Sequence, residues 1–282
     1  MKDSLFMPHS LKELWEVIEH VPDALIYAGG TDLLVKLRKG IIKVGPMVCL
    51  EKIEELKVIE DRGDKVFIGA GVSHSDILRS DIINTNFPVL IRAIEVLGSP
   101  QIRNMGTIGG NIVTASPAGD TLPPLYVLEA QLELHTSNSK RQLPIDQFIK
   151  GPGKTQLKNG EILTGILIPK AYGFNIHHFE KVGKRKALSI SIVSFCALLR
   201  LSAEGVVEDA RFSWGSVGPT VIRSHDVESL LIGNRLSIEM LNRASEQVKK
   251  VIRPIDDIRA SAWYRKEVAC NLLMRLINYK DE

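Results

Sequence analysis

Two separated glycine pairs constrain this chain more than any other feature of its sequence. AGGTDLL, residues 28–34, follows a short apolar segment, and QIRNMGTIGGN, residues 101–111, sets three glycines among Thr, Asn and Arg side chains. Glycine can adopt positive φ and lets backbone N–H groups converge on an anion. Each segment alone is equally compatible with a tight turn, because short glycine motifs are weak signals. Together they predict a ligand with two phosphates and a polar ring.

The composition excludes several classes of protein. The chain has 282 residues with 44% hydrophobic content, enough for one large domain or two modest ones. Its formal net charge of +3 comes without a long Lys/Arg stripe, so we expect no nucleic-acid partner. Three dispersed cysteines and the lack of a paired-His motif predict no metal site. No signal peptide and no membrane-length apolar run are recognisable, which predicts a cytoplasmic protein without membrane contact.

The hydrophobic pattern predicts a chain in two parts. Ser10 and Glu13 form a capping box for an amphipathic helix over residues 10–20. Up to about residue 170, short strands and helices alternate around the glycine loops. Beyond it, three strands precede helices over 225–232, 237–252 and 257–278, as in a small antiparallel sheet followed by a helical bundle. This order predicts an α+β protein in two parts, with a boundary near residues 170–175.

Three further positions carry candidate chemistry. Asp120 follows the second glycine loop closely, and because a carboxylate repels phosphate, we expect it to meet sugar hydroxyls or a ring N–H; the alternative is a helix N-cap before Thr121. Lys181 is a candidate cation, with a solvated strand end as the alternative. GAGVSH, residues 69–74, starts like a dinucleotide fingerprint, but His74 replaces its third glycine, which favours a structural turn.

Five segments in a fixed order carry a family likeness: AGGTDLL, QIRNMGTIGGN, ASPAGDTLPPL, EILTGILIP and FEKVGKRKALSIS. The chain resembles the FAD-binding, medium subunit of the molybdenum hydroxylases, the xanthine dehydrogenase and carbon monoxide dehydrogenase family, over essentially its whole length. The resemblance implies an FAD-binding domain of the vanillyl-alcohol-oxidase (PCMH) type over residues 1–171. A CO dehydrogenase flavoprotein C-terminal domain over 172–282 would follow.

The resemblance also implies a cofactor site without a catalytic residue or a metal. The first loop would line the FAD pyrophosphate, and the second would meet the pyrophosphate and the flavin side. Asp120 would contact polar groups of FAD, Leu163 would pack near the isoalloxazine or adenine end, and Lys181 would stabilise charge on the reduced ring. The implied cofactor-binding residues are Ala28, Gly29, Gly30, Thr31, Asp32, Leu33, Thr107, Ile108, Gly109, Gly110, Asn111, Thr114, Asp120, Leu163 and Lys181.

The implied function is that of an electron-transfer subunit of an oxidoreductase complex. FAD would receive electrons from 2Fe–2S clusters on a small subunit, while molybdopterin would reside on a large subunit, in a dimer of heterotrimers. Some relatives carry an extra cluster held by four cysteines, which three dispersed cysteines cannot supply. The alternatives are a stand-alone FAD-dependent oxidoreductase of the same superfamily and a scaffold subunit without FAD. The substrate and the acceptor, whether NAD, a quinone, ferredoxin or oxygen, stay open.

Overall fold

A computed structural model describes residues 5–185 and 188–279; residues 186 and 187 of the FEKVGKRKALSIS segment lie outside the described residues. The helices are α1 (Leu11–His20), α2 (Leu33–Arg38), α3 (His74–Arg79), α4 (Asp81–Asn86), α5 (Pro88–Glu95), α6 (Pro100–Met105), α7 (Ile108–Thr114), α8 (Leu122–Val127), α9 (Ile145–Phe148), α10 (His225–Leu231), α11 (Ile238–Val251) and α12 (Ala262–Met274). The strands are β1 (Leu5–Phe6), β2 (Leu25–Tyr27), β3 (Met47–Cys49), β4 (Ile59–Asp61), β5 (Lys65–Gly69), β6 (Gln131–His135), β7 (Lys140–Pro144), β8 (Ile149–Gly151), β9 (Lys154–Thr155), β10 (Ile162–Pro169), β11 (Ile176–Val182), β12 (Val193–Leu201), β13 (Val207–Gly215) and β14 (Ile222–Arg223).

These elements form two compact units that interleave along the chain. Unit 1 comprises Met1–Asn84, Ser99–Ala115 and Ala130–Pro169. Unit 2 comprises Thr85–Gly98, Ser116–Glu129 and Lys170–Glu282. Two short segments of the first half of the sequence therefore pack with the second half. The domain division at residues 171 and 172 stays a prediction.

Unit 1 is built on a five-stranded antiparallel sheet and a smaller parallel one. The five strands follow the order β4-β5-β10-β6-β7, and the parallel sheet follows the order β1-β3-β2. Strand β10 pairs with β5 on one side and β6 on the other, and it is buried from Ile162 to Ile168. Burial on both faces explains its mainly apolar sequence, in which Thr164 is the polar exception. The predicted capping box at α1 is half formed. Ser10 accepts from the Glu13 N–H at 3.2 Å, but the Glu13 carboxylate accepts from the His9 N–H at 2.8 Å instead of from Ser10.

Unit 2 packs helices against a four-stranded antiparallel sheet of order β11-β12-β13-β14. Phe195 on β12 and Trp214 on β13 stack 5.1 Å apart in its core. The helix predicted over 257–278 begins only at Ala262, with Ser261 as its N-cap. The reason is Asp257, whose carboxylate accepts from the backbone N–H groups of residues 259 and 260 and so folds the chain into a turn.

Candidate cofactor site

The first glycine loop joins β2 to α2 and leaves backbone donors unused. Gly30 has a φ of +69°, which an L side chain adopts only under strain. Within the described part of the chain, the backbone N–H groups of Gly30, Thr31 and Asp32 donate to no protein acceptor. The loop is thus a set of free backbone donors at the start of a helix, an arrangement that suits an anion.

The second glycine loop has a different structure from the one expected. QIRNMGTIGGN forms α6 and the start of α7, joined at Gly106, and neither Gly109 nor Gly110 has a positive φ. Thr107 caps α7 by accepting from the Gly110 N–H at 3.1 Å. The Ile108 and Gly109 N–H groups donate to the carbonyls of residues 72 and 70, each at 3.0 Å. These N–H groups are thus used within the protein, and contact between this loop and a cofactor stays a prediction.

The glycines of both loops instead permit close packing. A Cβ on Gly109 would lie 2.5 Å from the Ala70 Cβ and 2.9 Å from its Cα. A Cβ on Gly29 would lie 1.5 Å from the Met105 carbonyl oxygen. Only glycine allows backbones to approach so closely, and the two loops are in direct contact as a result.

Side chains reinforce this contact between the loops. The Thr114 hydroxyl at the end of α7 donates to the Asp32 carboxylate at 3.3 Å. The same carboxylate accepts from the Lys36 ammonium at 2.6 Å, one turn further along α2. The structure thus brings the predicted residues of the 28–33 segment together with those of 107–114. Both segments belong to unit 1.

The GAGVSH turn, interpreted from sequence as structural, is the segment against which the start of α7 packs. The His74 N–H donates to the Gly106 carbonyl at 3.0 Å, and Ser73 pairs with Thr107 in an isolated β-bridge. Burial, assisted by the Arg103 charge, lowers the pKa of His74 to about 4, so its ring is neutral near pH 7. Sequence reasoning missed this supporting role. The run of small residues Gly69, Ala70 and Gly71 was the available signal for a close backbone approach.

Leu163 lies on β10, next to the residue that bonds to the GAGVSH turn. It is 5% exposed, and the register between β10 and β6 shifts between Leu163 and Gly165. At that shift the Thr164 carbonyl accepts from the Ala70 N–H at 3.0 Å. The residue after Leu163 is thus bonded to Ala70, which Gly109 approaches closely.

Unit 2 contains Asp120 and Lys181, which the structure pairs directly. The Lys181 ammonium donates to the Asp120 carboxylate at 2.5 Å and to the Val96 carbonyl at 3.2 Å. Both side chains are less than 10% exposed. A solvated strand end is thus the wrong interpretation for Lys181. An N-cap is wrong for Asp120, because α8 begins at Leu122 and its N-cap position is Thr121.

The Asp120 carboxyl is chemically unusual. Burial raises its pKa to about 6, although the Lys181 charge and hydrogen bond act in the opposite direction. Its second oxygen, Oδ1, is buried and has no hydrogen-bond partner in the described structure. A buried acceptor without a donor is costly unless a ligand or water completes it. The Asp120–Lys181 pairing spans 61 positions of sequence, so no local pattern could have indicated it.

A cavity of about 230 Å³ in unit 2 lies beside Lys181 and is lined by Lys181, Arg92, Val96 and Arg185, among others.

Among the described residues, no group of three or more His, Cys, Asp or Glu side chains is placed to hold a metal ion. In the same part of the chain, no helix combines the length and apolarity needed to cross a membrane.

Comparisons with known proteins cover almost the whole chain. The family described as "FAD binding domain in molybdopterin dehydrogenase" matches residues 1–171, and "CO dehydrogenase flavoprotein C-terminal domain" matches residues 178–279. The chain belongs to this family of flavoproteins. It is 30% identical over 266 residues to the glyceraldehyde dehydrogenase medium chain of Sulfolobus acidocaldarius, with 94% of each chain covered.

Two further relatives agree with this assignment. The nicotinate dehydrogenase FAD-subunit of Eubacterium barkeri is 30% identical, over 98% of this chain and 95% of the relative. The solved structure of carbon monoxide dehydrogenase from Hydrogenophaga pseudoflava is similar with a TM-score of 0.92 at 28% identity, over 99% of this chain and 96% of that one. The predicted family and fold are confirmed, with FAD as the family's cofactor and oxidoreduction as its chemistry. Which individual residues contact FAD stays a prediction.

Proposed function

We propose that this chain is the FAD-carrying electron-transfer subunit of a molybdenum hydroxylase, with FAD held by the predicted residues. The observation that carries the proposal is the contact of the two glycine loops at Gly29 and Met105, beside three unused backbone donors at residues 30–32. Family membership over both parts of the chain supports FAD as the ligand.

The residues present fit FAD in both units. In unit 1, the free N–H groups of the first loop suit the charged pyrophosphate, which the chain would hold without a lysine. In unit 2, Asp120 Oδ1 lacks a donor, and hydroxyl or ring N–H groups of FAD would supply one. When bound, FAD supplies the redox chemistry, and the protein binds and orients it and sets its electrostatics.

Lys181 and Asp120 set the local charge in this account. Near pH 7 the Asp120 carboxyl is mostly ionised, since its pKa is about 6, and the pair with Lys181 is then formally neutral. A cofactor hydroxyl that donates to Asp120 Oδ1 would favour the ionised form. Lys181 would then remain fixed between Asp120 and the Val96 carbonyl, a position from which its charge favours electron density on a nearby ring.

We further propose that the chain works within a complex. Its relatives carry names such as "medium chain" and "FAD-subunit", which denote parts of multi-subunit enzymes. The partners would be a small subunit with 2Fe–2S clusters and a large molybdopterin subunit, arranged as a dimer of heterotrimers. A cytoplasmic location is part of the proposal, supported by three free and buried cysteines.

The visible spectrum of the purified complex tests this function. We expect a yellow protein whose denaturation releases FAD, identified by mass spectrometry. A complex with fully loaded iron–sulfur and molybdenum subunits but no flavin would overturn the proposal and leave a scaffold subunit. Substrate turnover by the isolated chain would instead indicate a stand-alone FAD oxidoreductase.

A further inference from the structure

The cavity of about 230 Å³ beside Lys181 has an excess of positive charge, and all of its lining residues belong to unit 2. The charged side chains that line it are Arg92, Lys181, Arg185 and Glu180. Three cations thus share one cavity with a single carboxylate. Because charges of one sign reinforce one another within a cleft, such a cavity attracts and concentrates small anions.

Hydrogen bonds between α5 and β11 hold one side of this cavity in place. Arg92, on α5, donates from its guanidinium to the His177 carbonyl on β11. Lys181, on β11, donates to the carbonyl of Val96, which directly follows α5, at 3.2 Å. The two cations are therefore fixed at the cavity by backbone carbonyls, which carry no net charge to cancel theirs.

The two arginines keep most of their hydrogen-bonding capacity for a ligand. Arg185 uses Nη2 to donate to the Leu188 carbonyl at 2.6 Å, and Arg92 uses Nη1 for the His177 carbonyl. Among the residues that the structure describes, neither guanidinium pairs with a carboxylate. A guanidinium carries five N–H donors in a planar fork that matches the oxygens of a carboxylate or phosphate. Each arginine therefore has donors to offer to an oxyanion.

The other charges near the cavity do not neutralise these arginines. Lys181 is paired with Asp120 at 2.5 Å, so that pair is formally neutral when the carboxyl is ionised. Glu180 lies 3.7 Å from the guanidinium of Arg275, a cation outside the cavity lining. Burial, assisted by neighbouring guanidinium charges, lowers the pKa of His178 to about 4, so its ring is uncharged near pH 7. The cavity therefore keeps a net positive charge at that pH.

The size and walls of the cavity narrow the class of ligand. Val96, Phe179 and Leu188 contribute apolar surface, which strengthens charge-assisted hydrogen bonds because it lowers the local dielectric. Pockets that enclose a drug-sized ligand commonly measure about 300–1,000 Å³, and this cavity is smaller. It therefore suits a small oxyanion, or the single anionic group of a larger molecule.

We propose that this cavity is an oxyanion-binding site in which Arg92 and Arg185 hold the phosphate or carboxylate group of a small molecule. The inference goes beyond the proposed function, because neither arginine belongs to the residues assigned to FAD. Two sources offer this chemistry: a free phosphate ion, and an electron acceptor that carries phosphate, such as NAD. The test below distinguishes the two.

Isothermal titration calorimetry of the full chain with FAD bound, with inorganic phosphate as the probe, tests the site. At low ionic strength we expect one phosphate per chain, with an affinity that falls as salt is added. Arg92→Gln and Arg185→Gln should each raise the dissociation constant about tenfold, because each removes a charge-assisted hydrogen bond to the anion. The double variant should bind no phosphate.

Three further variants serve as controls. Arg92→Lys and Arg185→Lys keep the positive charge and should retain more affinity than the glutamine variants do. Arg243→Gln removes an exposed arginine of α11 that does not line the cavity, and it should bind phosphate as the wild type does. The FAD content and circular dichroism of every variant should equal those of the wild type.

Titration with NAD distinguishes the two sources of the anion. Binding of NAD that is tighter than that of phosphate, and that the same glutamine variants weaken, would assign the site to an acceptor that carries phosphate. Binding of phosphate without binding of NAD would assign it to a free anion. Either result supports the oxyanion site.

The possible failures are distinguishable. A wild-type chain that binds no phosphate, or glutamine variants that bind it as the wild type does, would overturn the oxyanion site. Phosphate binding that the apo chain shows and the FAD-loaded chain loses would assign the cavity to FAD and overturn a separate site. A chain that takes up no FAD would overturn the proposed function, whereas phosphate titration of that same chain would still decide the oxyanion site.

Discussion

Gly109 and Gly110 are adjacent in α7, yet the structure predicts a destabilising effect for alanine at Gly109 and almost none for alanine at Gly110. A Cβ on Gly109 would lie within 3 Å of three Ala70 atoms, two of them backbone, so the start of α7 must move away from Ala70. A Cβ on Gly110 would meet only the Thr107 hydroxyl oxygen, at 3.0 Å. Both positions are helical, where alanine is intrinsically favoured over glycine by about 1 kcal/mol.

The magnitudes favour a clear difference between the two variants. Overpacking at Gly109 costs about 1–3 kcal/mol. Displacing α7 also weakens the bond from the Gly109 N–H to the Ala70 carbonyl, worth roughly 1 kcal/mol. After the helix-propensity gain, we expect Gly109→Ala to lower the free energy of unfolding by about 2 kcal/mol. For Gly110→Ala we expect a change within about 0.5 kcal/mol.

Urea unfolding followed by far-UV circular dichroism measures both values on the apo chain. The expected result is a lower midpoint for Gly109→Ala at an unchanged slope, which denotes a loss of stability without a change in unfolded surface. If Gly109→Ala unfolds at the same urea concentration as Gly110→Ala, or at a higher one, α7 is not seated against Ala70. The account of the glycine contacts would then be refuted.

Three further predictions concern unit 2. The pKa of Asp120 in the folded chain is raised to about 6, so between about pH 4 and about pH 6 the folded state holds a proton that the unfolded chain has lost. The free energy of unfolding of the apo chain should therefore fall, by about 3 kcal/mol at most, as the pH rises through this range. Asp120→Asn should abolish that slope in pH-dependent denaturation. Lys181→Met removes a charge that lowers the pKa of Asp120, so the titration of Asp120, followed by NMR, should move to higher pH; an unchanged midpoint would contradict the ion pair. Glu228→Ala should lower the free energy of unfolding by about 3 kcal/mol, as measured by thermal denaturation, because the Arg223 guanidinium and a buried backbone N–H lose their shared acceptor. The control Glu239→Ala, at an exposed position, should leave that free energy nearly unchanged.

Local patterns predicted most of the regular elements of this fold. The alternation in QLELH indicated β6, which is a half-buried strand as expected. The helical spacing after Ser10 indicated α1, and the mainly apolar run EILTGILI indicated β10. These elements could be predicted because their own side-chain periodicity matches the surface that they bury.

The contact between the two glycine loops agrees with the sequence analysis, but the conformation of the second loop does not. Glycines at 106, 109 and 110 suggested a loop, because glycine is unfavourable within helices. Contacts with Ala70, about 40 positions earlier, override that preference and make α7 helical. The Asp120–Lys181 pair and the late start of α12 also depend on contacts that no local period records.

The central claim is that the two glycine loops hold FAD, and cofactor stoichiometry in a loop variant tests it most directly. Gly110 is exposed and a Cβ there would meet only the Thr107 hydroxyl, so we expect Gly110→Phe to fold. Its ring would obstruct the loop that we propose to hold the cofactor. FAD released per chain is measured by chromatography, with circular dichroism as the control for folding. The account predicts about one FAD per wild-type chain and almost none in the folded variant. Equal FAD content in the two proteins would contradict it.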